Sequence, residues 1–65
     1  MNTQTIANSL VGKTEIEALK TVQNSEMLLR VLERDGLQFV GTRDYNPSRI
    51  GVRITNGVIT EARVG

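Results

Sequence analysis

The stretch RIGVRITNGVITEARV, residues 49–64, alternates apolar and polar side chains through its first half and then meets a two-residue turn signal. Strict alternation is typical of a half-buried β-strand. Asn56-Gly57 favours a type I′ turn, because that turn needs two successive residues with positive φ. The stretch therefore predicts a β-hairpin, with strands at 49–55 and 58–64 and the apolar face of the first strand turned inward.

A further strand is predicted upstream, over residues 27–32, where three apolar side chains fall on one face. Between this strand and the hairpin lies a long segment, 33–48, without a clean hydrophobic period. A connection of that length allows the strands 27–32 and 49–55 to lie parallel in one sheet. We expect residues 33–48 to form an exposed arm over the edge of that sheet.

One helix is predicted over residues 15–24, because Thr14 and Glu17 have the spacing of a capping box. Residues 1–9 are polar and are expected to be a flexible segment in front of a single domain, residues 10–65. The expected fold is α+β, with a single helix packed on a small mixed β-sheet. The core is expected to consist of Ala18, Leu19, Val22, Leu29, Val31, Ile50, Val52 and Ile54.

The composition excludes several classes of function. The chain has no Cys and no His, which excludes disulfides, thiolate metal sites, His-bound zinc and a Ser-His-Asp triad. A net charge of +1 is too weak to argue for nucleic acid, and no apolar run approaches the roughly 18 residues that a membrane span needs. We predict a protein that is not an enzyme, with no cofactor, metal, nucleic-acid or membrane partner. No signal-peptide pattern is present, which predicts either a cytoplasmic protein or a mature secreted form.

Three sequence blocks keep their order and spacing around these elements. They are Leu10-Val11-Gly12-Lys13-Thr14 followed by Glu17-Ala18, the stretch Thr42-Arg43-Asp44-Tyr45-Asn46-Pro47-Ser48-Arg49-Ile50, and Arg63-Val64-Gly65. Together they resemble the potato type I family of serine-protease inhibitors, which includes the eglins and the seed chymotrypsin inhibitors. The chain is most similar to the short microbial elastase-inhibitor relatives of that family. The resemblance covers roughly residues 10–65.

The resemblance implies inhibition of a trypsin-like or subtilisin-like serine protease by a long, exposed reactive loop. The scissile bond would join Arg43 and Asp44, within a loop formed by Gly41, Thr42, Arg43, Asp44, Tyr45 and Asn46. Arg49 matches a family arginine that braces the loop, and it would donate toward Asp44 or Thr42. A second bracing arginine of the family falls on Gly51 here. Further support is expected from Arg53, Pro47 and Gly65.

Other interpretations of these residues stay open at the level of sequence. Arg43 is also explained by an ordinary solvated loop charge, and Arg49 by a surface residue of a strand. Tyr45 is equally consistent with packing of the loop and with contact to a protease. The alternative function is a non-inhibitory, small intracellular or phage-type interaction module with the same fold. In either case a monomer is expected.

Overall fold

The computed structural model describes residues 3–39 and 45–65, and there it has two helices and a four-stranded mixed sheet. The chain order is α1 (Thr3–Leu10), α2 (Glu15–Asn24), β1 (Leu28–Arg34), β2 (Leu37–Gln38), β3 (Arg49–Thr55) and β4 (Val58–Val64). The sheet order is β2-β1-β3-β4; β1 and β3 are parallel, and the other neighbours are antiparallel. The α+β class and the predicted parallel pairing are confirmed, but the expected single helix is wrong.

The additional helix, α1, lies within the segment that the sequence assigned to a flexible terminus. Ile6, Ala7 and Leu10 are buried, and the helix packs mainly on β4. These three residues have the spacing of one narrow helical face. The polar residues between them conceal the pattern, and the small Ala7 carries little hydrophobic signal.

The second helix begins and ends where the sequence predicts. Thr14 Oγ1 accepts a hydrogen bond from the Glu17 N–H at 3.2 Å, and Glu17 Oε1 accepts one from the Thr14 N–H at 3.1 Å. This reciprocal pair is the predicted capping box, and it satisfies two donors that the first turn of a helix leaves without partners.

The predicted hairpin is also confirmed. Thr55 and Val58 close the turn, and Asn56 and Gly57 have φ values of 53° and 78°. The turn is held to the rest of the fold by Asp35, whose Oδ1 accepts a hydrogen bond from the Asn56 N–H at 2.8 Å. Beyond the turn, a register shift between β3 and β4 leaves Thr60 as an extra residue in β4.

The core lies between the two helices and the inner face of the sheet. Most of the predicted core is confirmed, with Leu29 and Val31 packed against it as half-buried residues. Leu19 is wrong, because its side chain is 43% exposed. Ala18 and Val22, four residues apart, define the buried line of α2, and Leu19 lies about 100° around the helix from Ala18. The buried residues are Ile6, Ala7, Leu10, Ala18, Val22, Ile50, Val52, Ile54 and Ile59.

The first part of the segment predicted as an exposed arm, 33–48, is β-structure and not a loop. Strand β1 continues to Arg34, the chain reverses at Asp35-Gly36, and β2 returns antiparallel to β1. Both turn residues have positive φ, 51° and 84°. A two-residue strand is too short for a period-2 pattern to be recognised, which explains why the sequence predicted only a loop here.

We predict that Leu10→Ala lowers the free energy of unfolding by about 2–5 kcal/mol, because it removes a fully buried side chain that α1 places in the core. The matched control is Val11→Ala, since Val11 is the next residue and is 50% exposed; its cost should stay below about 0.5 kcal/mol. Urea denaturation measures both changes. Equal small costs would contradict the packing of α1 against the sheet.

A second prediction concerns the capping box. The hydrogen bond from the main-chain N–H of Thr14, together with that from its hydroxyl, holds the pKa of Glu17 below its ordinary value. The contribution to stability is therefore fully present above the ordinary carboxyl pKa and is lost as the pH falls through the lowered one. Glu17→Gln keeps an acceptor for Thr14 but does not titrate, so we expect this variant to lack that step. Thermal unfolding across the acid range compares the two; identical pH profiles would refute the prediction.

Candidate functional site

Four of the predicted loop residues, Gly41, Thr42, Arg43 and Asp44, lie outside the described residues, as does the predicted scissile bond. The described chain ends at Phe39 on one side of this gap and resumes at Tyr45 on the other. On the first side, the Phe39 N–H donates to the Leu32 carbonyl at 3.0 Å, which ties the end of β2 to β1. The described parts of the site are its two flanks and the sheet beside them.

The flank after Tyr45 is a β-turn over residues 46–49. The Arg49 N–H donates to the Asn46 carbonyl at 3.1 Å, and the Ser48 N–H donates to Asn46 Oδ1 at 2.9 Å. Asn at the first position and Pro47 at the second are residues that such a turn favours, since proline fixes φ and the asparagine side chain caps the backbone. The predicted supporting residue Pro47 thus lies inside a doubly hydrogen-bonded turn.

This turn is attached to the sheet at its far end. The Leu28 N–H, at the start of β1, donates to the Ser48 carbonyl at 2.9 Å. Arg49 then enters β3, where it pairs with Leu28. The turn therefore continues the parallel β1–β3 ladder by one hydrogen bond. Sequence reasoning missed this contact, because neither residue carries a signal of its partner.

Arg49 and Gly65 make a two-point contact across the end of the sheet. Arg49 Nε donates to the Gly65 carbonyl at 3.0 Å, and the Gly65 N–H donates to the Arg49 carbonyl at 2.8 Å. The ring of Tyr45 is near Gly65, since a Cβ built on this glycine would be 3.7 Å from Tyr45 Cδ2, and the Tyr45 side chain is 70% exposed. Three of the predicted residues are thus brought together. The expected contact from Arg49 to Asp44 or Thr42 involves residues outside the described part of the chain.

Gly51, where the sequence resemblance would place a second arginine, is covered by a neighbouring side chain. A Cβ at Gly51 would lie 2.8 Å from Leu32 Cδ1, closer than real contacts allow. Leu32 is the extra residue at a register shift in β1, and its side chain covers Gly51 on the outer face of the sheet, away from the helices. An arginine at position 51 would therefore have to displace Leu32. A bulge of this kind has no signal in the sequence.

Arg53, the other predicted supporting residue, lies about 13 Å further along β3 than Arg49, four residues at the usual strand rise. Its Nε is 3.7 Å from Glu61 Oε2 and has no hydrogen-bond partner among the described residues. The side chain lines a shallow groove of about 220 Å³ on the outer face, together with Leu32, Glu33, Gln38, Phe39 and Arg63. Among the described residues Arg53 therefore contacts this groove and not the turn at 46–49.

Within residues 3–39 and 45–65, no three carboxylates are grouped so that they could hold a metal ion. In the same part of the chain, neither helix has the length and apolar character needed to cross a membrane. Comparisons with protein-family models, with curated proteins and with solved structures find no match to this chain. The likeness to the potato type I family thus rests on the three sequence blocks.

We predict that Arg49→Ala lowers the free energy of unfolding by about 1 kcal/mol, because it removes the half-buried hydrogen bond to the Gly65 carbonyl. Arg30→Ala is the matched control, since Arg30 is a half-buried arginine of β1 for which the described residues provide no ion pair. Chemical denaturation measures both variants. In NMR spectra, only Arg49→Ala should shift the ring signals of Tyr45. Equal effects of the two variants would contradict a special role for the Arg49–Gly65 contact.

Proposed function

We propose that the protein inhibits a serine protease by presenting residues 41–46 to the active site as a substrate-like loop, with the bond between Arg43 and Asp44 at the catalytic centre. The observation that carries the proposal is the anchoring of the chain shortly after this bond. The turn 46–49 is hydrogen-bonded internally, Ser48 is bonded to β1, and the Arg49 side chain is bonded to Gly65. Anchoring at this place is what a substrate-like inhibitor requires.

The physical reason lies in the fate of the leaving group. When a protease cleaves an ordinary substrate, the part after the scissile bond diffuses away and the reaction becomes irreversible. Here the new amino terminus would belong to Asp44, two residues before the hydrogen-bonded turn at 46–49. Because the leaving group stays near the acyl-enzyme, religation competes with hydrolysis. A loop held in its bound conformation also loses little entropy on binding, so that its contacts contribute more fully to affinity.

The side chain of Arg43 indicates the class of protease. A guanidinium group pairs bidentately with a carboxylate, which fits a primary specificity pocket that holds a buried acid, as in trypsin-like enzymes. Arg43 is followed by an acidic residue and then by an aromatic one. Asp44 is a poor occupant of such a pocket, because few primary pockets accept a carboxylate. The proposal therefore names Arg43 as the primary specificity residue.

The substitution of the second bracing arginine by Gly51 is compatible with this proposal. Two features support the flank after the scissile bond in its place: the proline-containing turn, and the contact of Arg49 with Gly65. Both restrict the backbone within six residues of Arg43 and need no arginine at position 51. The groove at Arg53 is too far along β3 to contribute to this flank.

We predict that Arg43→Ala weakens binding to trypsin by about 2–5 kcal/mol, because it leaves the buried acid of the pocket without a partner. Against subtilisin, whose primary pocket is broader and more apolar, the loss should be much smaller. Arg43→Leu should shift the preference toward chymotrypsin- and subtilisin-like enzymes. Inhibition constants for all three enzymes measure these changes, with Arg30→Ala as a control that removes an arginine from the sheet and leaves the loop intact.

Prolonged incubation with catalytic trypsin, followed by mass spectrometry, tests the bond itself. We expect a slow single cut after Arg43, with both fragments remaining associated. Rapid cleavage after Arg30, Arg34 or Arg53 without inhibition would identify an ordinary substrate and overturn the proposal. The non-inhibitory interaction module would then be the function to pursue.

A further inference from the structure

Strand β4 forms one edge of the sheet; α1 packs against it, and hydrogen bonds between described residues close its outer side only in its first part. The Ile59 N–H donates to the Lys13 carbonyl at 2.9 Å, and the Ile59 carbonyl accepts from the Gly12 N–H at 2.8 Å. The segment after α1 therefore closes the edge at Ile59. Beyond this residue, no hydrogen bond between described residues closes the outer side of β4.

The hydrogen bonds of β3 identify the main-chain groups that this open part presents. The Gly65 N–H donates to the Arg49 carbonyl, so Gly65 faces β3. In an antiparallel ladder, successive residues face alternate sides. Arg63 therefore faces β3, while the N–H and C=O groups of Ala62 and Val64 point away from the sheet. Unpaired groups of this kind are a ready template for another strand.

The side chains on this edge carry opposite charges at alternate positions. Glu61 and Arg63 are both exposed and lie on the outer face of the sheet, because they pair with Arg53 and Gly51. Gly51 has no side chain, so Arg63 has no charge directly opposite it on β3, although it lines the groove that also contains Arg53 and Glu33. Glu61 is only 3.7 Å from Arg53 Nε and keeps half of its side chain exposed. A second strand could therefore supply a partner to each charge.

We propose that a second copy of this chain pairs antiparallel with the open edge, residues 60–64, with Ala62 opposite Ala62 of the second copy. In this register each Glu61 lies opposite an Arg63, and the two-fold axis produces that pair twice. Opposite charges directly across an antiparallel pair stabilise it. The two Ala62 residues exchange their N–H···O=C hydrogen bonds. This proposal replaces the expectation of a monomer and does not depend on the proposed protease inhibition.

Charge also selects this register over its neighbour. The other register that uses the outward groups of both Ala62 and Val64 would pair Ala62 with Val64. It would place Arg63 directly opposite Arg63 of the second copy, and like charges at that distance are destabilising. Pairing ends at Ile59, because Gly12 and Lys13 already occupy the edge there. Glu61 and Arg63 complement the same two residues of an antiparallel second copy. A strand from a different protein would have these charges at matching positions only by chance.

Sedimentation equilibrium on the full chain tests the proposal, at concentrations up to roughly 1 mM because a short edge pairing has micromolar to millimolar affinity. The apparent mass should rise from 7.2 kDa toward twice that value. Arg63→Glu and Glu61→Arg should each remain at the monomer mass, because each places like charges opposite one another. An equimolar mixture of the two variants should recover the dimer, since every pair is then complementary.

The matched control is Arg30→Glu. Arg30 of β1 pairs with Gly51 on the side opposite to Arg63. This variant therefore makes the same change of charge at the same level of the sheet, two strands away from the edge. It should dimerise like the unmodified chain. Ala62→Pro removes an N–H that faces away from β3, a position where edge strands tolerate proline. It should keep the circular-dichroism spectrum and lose the dimer.

Amide exchange on the unmodified chain provides a readout that no failure to fold can obscure. At high concentration the amides of Ala62 and Val64 should exchange more slowly than in dilute solution, while exposed amides of α2 do not change. A constant monomer mass at every concentration would overturn the proposal. So would a dimer that survives Arg63→Glu, or one that forms without slower exchange at Ala62 and Val64.

Discussion

The parallel pairing of β1 with β3, in the middle of the sheet, is the constraint on which the remaining structure depends. The ladder runs from Leu28 opposite Arg49 to Arg34 opposite Ile54, and the inward side chains of β3 are fully buried. Antiparallel neighbours can be joined by two residues, but parallel neighbours need a long connection. The long segment between these strands is therefore a consequence of the topology. This segment also contains the most specific block of family resemblance. The connection that the topology requires is therefore the one that would present the proposed reactive loop.

The two faces of the sheet have different roles. The inner face is closed by two helices, which a chain of 65 residues needs because a small domain buries only a modest share of its surface. Neither described helix covers the outer face, which presents arginines from three strands beside Glu33 and Glu61. The electrostatics of the outer face therefore depend on which hydrogen-bond or ion-pair partner each arginine has. Arg49 finds one in the carbonyl of Gly65, whereas the Arg53 side chain meets Glu61 at a longer distance.

Local signals predicted the elements that local physics determines. A capping box and an Asn-Gly turn satisfy their own backbone groups, so α2 and the β3–β4 hairpin were predictable from a few residues each. Apart from the parallel pairing of β1 with β3, features that depend on distant partners were not predictable in this way. Helix α1 is stabilised by its contact with β4, and Leu32 becomes a bulge residue only because β1 pairs with β3. Within the candidate site, the turn at Asn46-Pro47 has a recognisable pattern, whereas the bond from Arg49 to Gly65 joins residues 16 positions apart.

Gly51 stands where the proposed family likeness would place an arginine, and the flank beside it is stabilised by other means. A charged brace is effective because a guanidinium group donates several hydrogen bonds, but it requires an open outer face above β3. Here Leu32 occupies that space, and a side chain at position 51 would collide with it. The bulge in β1 and the glycine in β3 therefore fit each other, since a side chain at position 51 would require Leu32 to move. The flank is restrained by the proline-containing turn and by Arg49, and the hydrogen bonds of both involve main-chain atoms. Restraint by the turn is less sensitive to salt than an exposed ion pair, because its hydrogen bonds join a backbone N–H to a carbonyl or an amide oxygen and involve no pair of opposite charges that ions can screen.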